Sequence, residues 1–88
     1  MTDDIDIDGY FGKALKVKRK NAHLTQEELA LKANFDRTYI SLLERGLRKP
    51  SLEATVNLAK ALHVSPPVLV EAMIEQSEGD PHRKKNAP

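Results

Sequence analysis

Cysteine is absent from the chain. Its absence excludes disulfide staples and thiolate metal sites, and it fits a protein kept inside the cell. No apolar run approaches the ~20 residues that cross a bilayer, so no membrane segment is predicted. The acidic, Asp-rich start does not resemble a signal peptide, and the cytoplasm is the expected compartment. Only four glycines are present, and they form no phosphate-cradling loop. The three histidines (His23, His63 and His82) suggest no metal site, and none stands near a plausible serine. Without a thiol nucleophile either, the chain does not read as an enzyme, and no cofactor is expected.

What is present fits one small soluble domain. A chain of 88 residues buries a single modest core. With 40% hydrophobic and 31% charged residues, it reads as globular rather than disordered. The net charge of +1 hides a strong asymmetry. Residues 1–9 carry four acids (Asp3, Asp4, Asp6, Asp8) and no base, a charge of −4. Residues 10–50 carry ten Lys or Arg against four Asp or Glu, giving +6. Residues 51–78 have one base and four acids, giving −3, and residues 79–88 return +2. A basic middle between acidic stretches is a local footprint for a polyanion that the overall charge conceals.

The patterning predicts five helices and no strand. The first spans about 10–21, with Phe11, Ala14, Leu15 and Val17 as its apolar face. The second opens on Thr25-Gln26-Glu27-Glu28, a capping box in which Thr25 accepts from the Glu28 amide while Glu28 reaches back. Leu29, Ala30 and Ala33 then face inward. Asn34 follows, a residue that tolerates the left-handed conformation of a tight turn, with Phe35 packed under it. Asp36 caps a third helix that runs to about Arg45 and ends at Gly46. Ser51 caps a fourth, with Leu52, Val56, Ala59 and Leu62 as its inner stripe. Ser65-Pro66 opens a fifth, because proline suits a first turn where its missing N–H costs nothing. The expected divisions are an acidic flexible arm over 1–9, a helical domain over 10–76 and a flexible tail over 77–88.

Two short helices joined by a tight turn form a helix-turn-helix, whose second member enters the major groove of DNA. At about 100° per residue, Ile40 and Leu43 of the third helix point toward the core. Thr38, Ser41 and Arg45 point nearly opposite, flanked by Arg37 and Leu42. Small hydroxyls and guanidinium groups reach base edges or phosphates without blocking close approach.

Leu24-Thr25-Gln26-Glu27-Glu28-Leu29-Ala30, Asp36-Arg37-Thr38-Tyr39-Ile40-Ser41-Leu42-Leu43-Glu44-Arg45-Gly46, Lys49-Pro50-Ser51-Leu52 and Leu58-Ala59-Lys60-Ala61-Leu62-His63-Val64-Ser65 follow one another in order. Together they resemble the Xre/Cro family of phage repressors and bacterial regulators, over roughly residues 10–75. The resemblance implies an all-α, compact five-helix, lambda-repressor-like DNA-binding domain with the helix-turn-helix at helices two and three. It implies that Gln26 fixes the protein on a phosphate, the alternative being a solvated polar residue. Arg37, Thr38 and Ser41 would contact bases or nearby phosphates, with Arg37 the leading base reader unless it is simply an exposed helix-start arginine. Leu42 would touch a thymine methyl or pack on its own helix, and Tyr39 would donate to a phosphate or pack beside Phe35. Arg45, Arg48 and Lys49 would meet phosphates from the connecting loop, with the minor groove an alternative for Arg48. Arg19 and Glu44 would form a partly buried ion pair that clamps the motif. Lys18 stands where the family usually has an apolar residue, and His23 and His63 replace glycines, where turn roles are expected. Asp36 to Ser41 is also similar to controller proteins of restriction–modification systems.

The function so implied is sequence-specific binding of double-stranded DNA by a transcriptional regulator. The fifth helix (Val68, Leu69, Val70, Ala72, Met73, Ile74) has more apolar surface than one peripheral side needs. Val68, Leu69, Met73 and Ile74 are expected to form a homodimer interface, placing two recognition helices about one DNA turn apart on a near-palindrome. The competing reading is an antitoxin-like or coactivator-like interaction module with a protein partner such as a toxin, because fold alone does not dictate function.

Overall fold

A computed structural model describes residues 6–81. Five α-helices and no strand occur among the described residues: α1 (Ile7–Asn21), α2 (Gln26–Ala33), α3 (Arg37–Glu44), α4 (Leu52–Ala61) and α5 (Pro66–Glu78). α1 packs on α3 and α5, α2 on α3 and α4, and α4 on α5. Phe11, Leu15, Leu29, Ile40, Leu43, Leu58, Leu62 and Leu69 bring all five helices into one core.

Several helix starts follow directly from side chains. Asp6 accepts from the Gly9 amide at 2.9 Å, so α1 begins at Ile7 rather than near Tyr10. Part of the arm expected over 1–9 is therefore helix, while residues 1–5 lie outside the described residues. Thr25 and Glu28 form the reciprocal capping box at α2, with bonds of 3.0 and 2.8 Å. Ser51 Oγ accepts from the Ala54 amide at 2.9 Å and starts α4. Asp36 holds the N-cap position of α3 without a side-chain hydrogen bond to the cap. α5 begins at Ser65-Pro66 as expected.

The four interhelical turns share one construction. His23, Asn34, Gly46 and His63 all adopt left-handed backbone, with φ of 60°, 62°, 73° and 60°. In each turn that residue's amide bonds three positions back: His23 to Lys20, Asn34 to Leu31, Gly46 to Leu43 and His63 to Lys60. The next amide reaches five back: Leu24 to Arg19, Phe35 to Ala30, Leu47 to Leu42 and Val64 to Ala59. This paired bonding satisfies the last carbonyls of a helix and favours an apolar residue after the left-handed one. Leu24, Phe35 and Val64 pack on the core as the motif prefers, whereas Leu47 is exposed. His23 and His63 thus occupy turn positions, as their replacement of glycines implied.

α1 presses closely on the end of α3 at Gly12. A methyl group there would overlap the Leu43 carbonyl oxygen and lie 2.7 Å from that of Glu44. Backbone oxygens cannot swing aside as a flexible side chain can, so the contact depends on the missing Cβ.

Two apolar faces differ from expectation. Val17 is exposed, and α1 buries Tyr10 together with the expected Phe11, Ala14 and Leu15. Leu52 is also exposed and Val56 is half-buried; Ala59 and Leu62 of the expected stripe are buried, joined on the inner side by Ala54, Thr55, Leu58 and Ala61. At the other end of the chain, Ser77 and Glu78 complete α5, and Ser77 is buried. Just beyond, the Tyr10 hydroxyl donates to Asp80 Oδ2 at 2.8 Å, tying α1 to the end of α5. Residues 77 and 78, expected in the tail, are therefore helical, and residues 82–88, with His82, lie outside the described residues.

Candidate nucleic-acid interface

The helix-turn-helix consists of α2, the Asn34-Phe35-Asp36 turn and α3. Ile40 and Leu43 are fully buried, anchoring one side of α3. Burying such a side chain stabilises by about 1.5–3 kcal/mol, enough to fix which face an eight-residue helix turns outward. Arg37, Thr38 and Arg45 are exposed, and Ser41 and Leu42 are half-buried. The outward set matches the expectation from helical spacing. Arg45 follows the last residue of α3 as its C-cap, where the connecting turn begins. Arg48 and Lys49 are exposed in that loop.

Tyr39 combines two contacts. Its ring meets that of Phe35 edge-on, with centroids 4.9 Å apart and planes at 60°. The Arg48 guanidinium lies 5.8 Å from the same ring centroid. A cation over a ring gains ~0.5–1 kcal/mol at an exposed site, enough to bias Arg48 without fixing it. Thr38, Tyr39, Leu42 and Arg48 line one groove beside α3. Arg37 lies along a separate hollow with Glu27, Glu28 and Leu31 of α2. The side chains assigned to DNA thus fall around α3 without forming a single pocket.

Beneath this surface lies the expected ion pair. Arg19 Nε donates to Glu44 Oε2 at 2.6 Å, and Nη2 donates to Oε1 at 3.0 Å. The geometry is two-pronged, and the Glu44 side chain is only 3% exposed. Arg19 Nη1 also donates to the Leu24 carbonyl at 2.8 Å, so one guanidinium links α1, the first turn and α3. Removing one partner of such a pair costs about 3–5 kcal/mol, because the other charge stays buried and uncompensated. Gln26 joins the same group, its Nε2 donating to Glu44 Oε1 at 3.0 Å. Sequence reasoning treated Gln26 as a phosphate contact and missed this inward bond, which no local pattern announces.

Lys49 has an acidic neighbour that was also not anticipated. Its ammonium lies 3.6 Å from Asp8 Oδ1, an oxygen buried from solvent with no hydrogen-bond partner. Arg37, Arg45 and Arg48 make no ion pair among the described residues.

On α5 the expected interface needs one correction. Leu69 is 0% exposed and belongs to the core, so it is not available to a partner. Val68 is half-buried, and Met73 is half-buried against the core. The exposed apolar residues are Val70 and Ile74, at 43% and 41%. They share a shallow hollow with Glu71 and Glu75. No helix among the described residues is long and apolar enough to cross a membrane.

The Helix-turn-helix family model matches residues 15–69. An uncharacterized HTH-type transcriptional regulator of Mycobacterium tuberculosis is 39% identical over 69 residues, covering 76% of this chain and 49% of the relative. The chain therefore spans about half the length of that regulator. Control protein C.BamHI of Bacillus amyloliquefaciens is 38% identical over 72 residues, covering 81% of this chain and 86% of the relative. The crystal structure of the restriction-modification controller protein C.AhdI of Aeromonas hydrophila superposes with a TM-score of 0.68 at 39% identity, covering 69% of this chain and 92% of that one. The matched residues 15–69 include the buried Arg19–Glu44 clamp and the outward polar face of α3. The chain belongs to the Helix-turn-helix family, and the relatives it resembles include proteins named as transcriptional regulators and restriction-modification controllers.

Proposed function

We propose that the protein binds a near-palindromic operator as a homodimer, with α3 of each copy in the major groove. The observation that carries this reading is the division of α3 into a buried Ile40–Leu43 side and an outward side of Arg37, Thr38, Ser41, Leu42 and Arg45. Arg37 reads a base, because guanidinium groups pair bidentately with guanine. Thr38 and Ser41 add hydroxyl contacts to bases or adjacent phosphates. Leu42, half-buried beside them, meets a thymine methyl. Gln26, Tyr39, Arg45, Arg48 and Lys49 hold the protein on the phosphate backbone. No step calls for a cofactor or for catalysis, and the cytoplasm is the compartment this work requires.

Two copies meet through α5, with Val70 taking the place assigned to Leu69 beside Val68, Met73 and Ile74. The exposure of Val70 and Ile74 supports this pairing, as does the need of a symmetric operator for a symmetric protein. Sedimentation equilibrium tests it. A dimer that Ile74→Glu converts to a folded monomer is the expected result. A strict monomer at high micromolar concentration contradicts the homodimer and favours a different protein, such as a toxin, against α5.

A further inference from the structure

We infer that Glu44 is a positioning residue for DNA binding: it orients the Gln26 carboxamide so that Gln26 meets a backbone phosphate as an N–H donor. The inference rests on the reading of Gln26 as a phosphate contact. Glu44 Oε1 accepts two hydrogen bonds, from Arg19 Nη2 and from Gln26 Nε2, each at 3.0 Å. Arg19 alone suffices to clamp α1 to α3, so the bond to Gln26 adds nothing to that clamp.

The bond does restrict Gln26. An ionised carboxylate only accepts hydrogen bonds, whereas a carboxamide has a donating and an accepting end. Facing Glu44, the amide keeps Nε2 inward, because the reversed orientation sets oxygen against oxygen. One Nε2 hydrogen is then committed, and the second is left for an outside acceptor. A phosphate oxygen is such an acceptor. Gln26 is the first residue of α2, where the helix's own unpaired amides also favour an anion.

Glu44 gains its own support from the Arg19 guanidinium. That cation offsets a carboxylate charge that would otherwise repel a phosphate nearby. Because Glu44 is the last residue of α3, the arrangement also ties a contact made by α2 to the placement of the recognition helix. The side chain is ordered before DNA arrives, so less freedom is lost on binding.

Binding of an operator duplex, obtained by selection from a random-sequence pool, is measured for Gln26→Ala, Glu44→Asp and the double variant, at a temperature where each is shown to be folded. Asp keeps the charge for Arg19 but withdraws the carboxylate by one methylene from Gln26. The expectation is a loss of roughly tenfold for each single variant and no further loss for the double, as for one shared hydrogen bond to a charged group. A methylphosphonate at the contacted phosphate weakens the wild type by a similar factor and leaves both variants nearly indifferent. A purely structural Glu44 moves affinity without removing this phosphate dependence.

Wild-type binding by Glu44→Asp, multiplied losses in the double variant, or a retained methylphosphonate penalty overturns the positioning role alone. A Gln26→Ala protein that binds like wild type overturns the phosphate reading, and the positioning role with it. If Glu44→Asp does not fold, side-chain amide NMR of the wild type replaces it. One Gln26 Nε2 proton is expected to stay hydrogen-bonded in free and bound protein while the other shifts on DNA binding. A freely averaging carboxamide in the unbound protein contradicts the inference.

Discussion

The Asp8 carboxylate lies 3.6 Å from the Lys49 ammonium, so the acidic start of α1 touches the basic loop that follows the recognition helix. Lys49 is 82% exposed at its side chain, and such a pair contributes at most about 1 kcal/mol. A phosphate that takes Lys49 must nevertheless draw it from Asp8. Asp8→Asn is expected to tighten DNA binding by up to about fivefold at moderate salt. The gain should vanish in a Lys49→Ala background, as a four-way binding comparison would reveal. An equal gain in both backgrounds would assign the effect to net charge and not to this pair.

Arg37 and Arg48 are expected to fail in different ways. Arg37→Ala should relax preference at one operator position by roughly 1–3 kcal/mol while leaving nonspecific binding nearly intact. Arg48→Ala should weaken all sequences alike and flatten the plot of log K against log salt by about 0.9. Titrations against matched and mismatched duplexes at several salt concentrations separate the two. Identical behaviour would mean that the roles are wrongly divided.

The left-handed histidines offer a stability test that does not involve DNA. A non-glycine residue in this conformation costs roughly 1–2 kcal/mol, partly offset because glycine loses more entropy on folding. His23→Gly and His63→Gly should each stabilise the domain by about 0.5–1 kcal/mol, raising Tm by roughly 2–8 °C. Thermal unfolding followed by circular dichroism checks this. A lower Tm for both would show that the imidazoles make contacts that outweigh the backbone cost.

The pattern of success along the sequence has a physical basis. The capping box at Thr25, the turn at Asn34 and the stop at Gly46 were legible because each depends on residues close in the chain. The outward face of α3 was legible because Ile40 and Leu43 lie three apart on one side, opposite the polar Thr38, Ser41 and Arg45. On α4, Ala59 and Leu62 of the expected stripe are buried but large Leu52 is exposed, while small Ala54 and Thr55, which are buried, gave little hydrophobic signal. On α5, apolar residues run almost all around the helix. Periodicity alone did not show that Leu69 belongs to the core and Val70 to the surface. The Arg19–Glu44 pair was implied by family resemblance, not by local pattern. Gln26–Glu44, Asp8–Lys49 and Tyr10–Asp80 join residues far apart in the chain. Such pairs exist only once the helices have docked.

Selection of bound duplexes from a random-sequence pool at ~150 mM salt, where purely electrostatic binding is weak, tests the central claim most directly. Enrichment of a short inverted repeat, with half-sites about one helical turn apart, is the predicted result. A well-folded protein that enriches no sequence would contradict specific operator recognition and point to a protein partner instead.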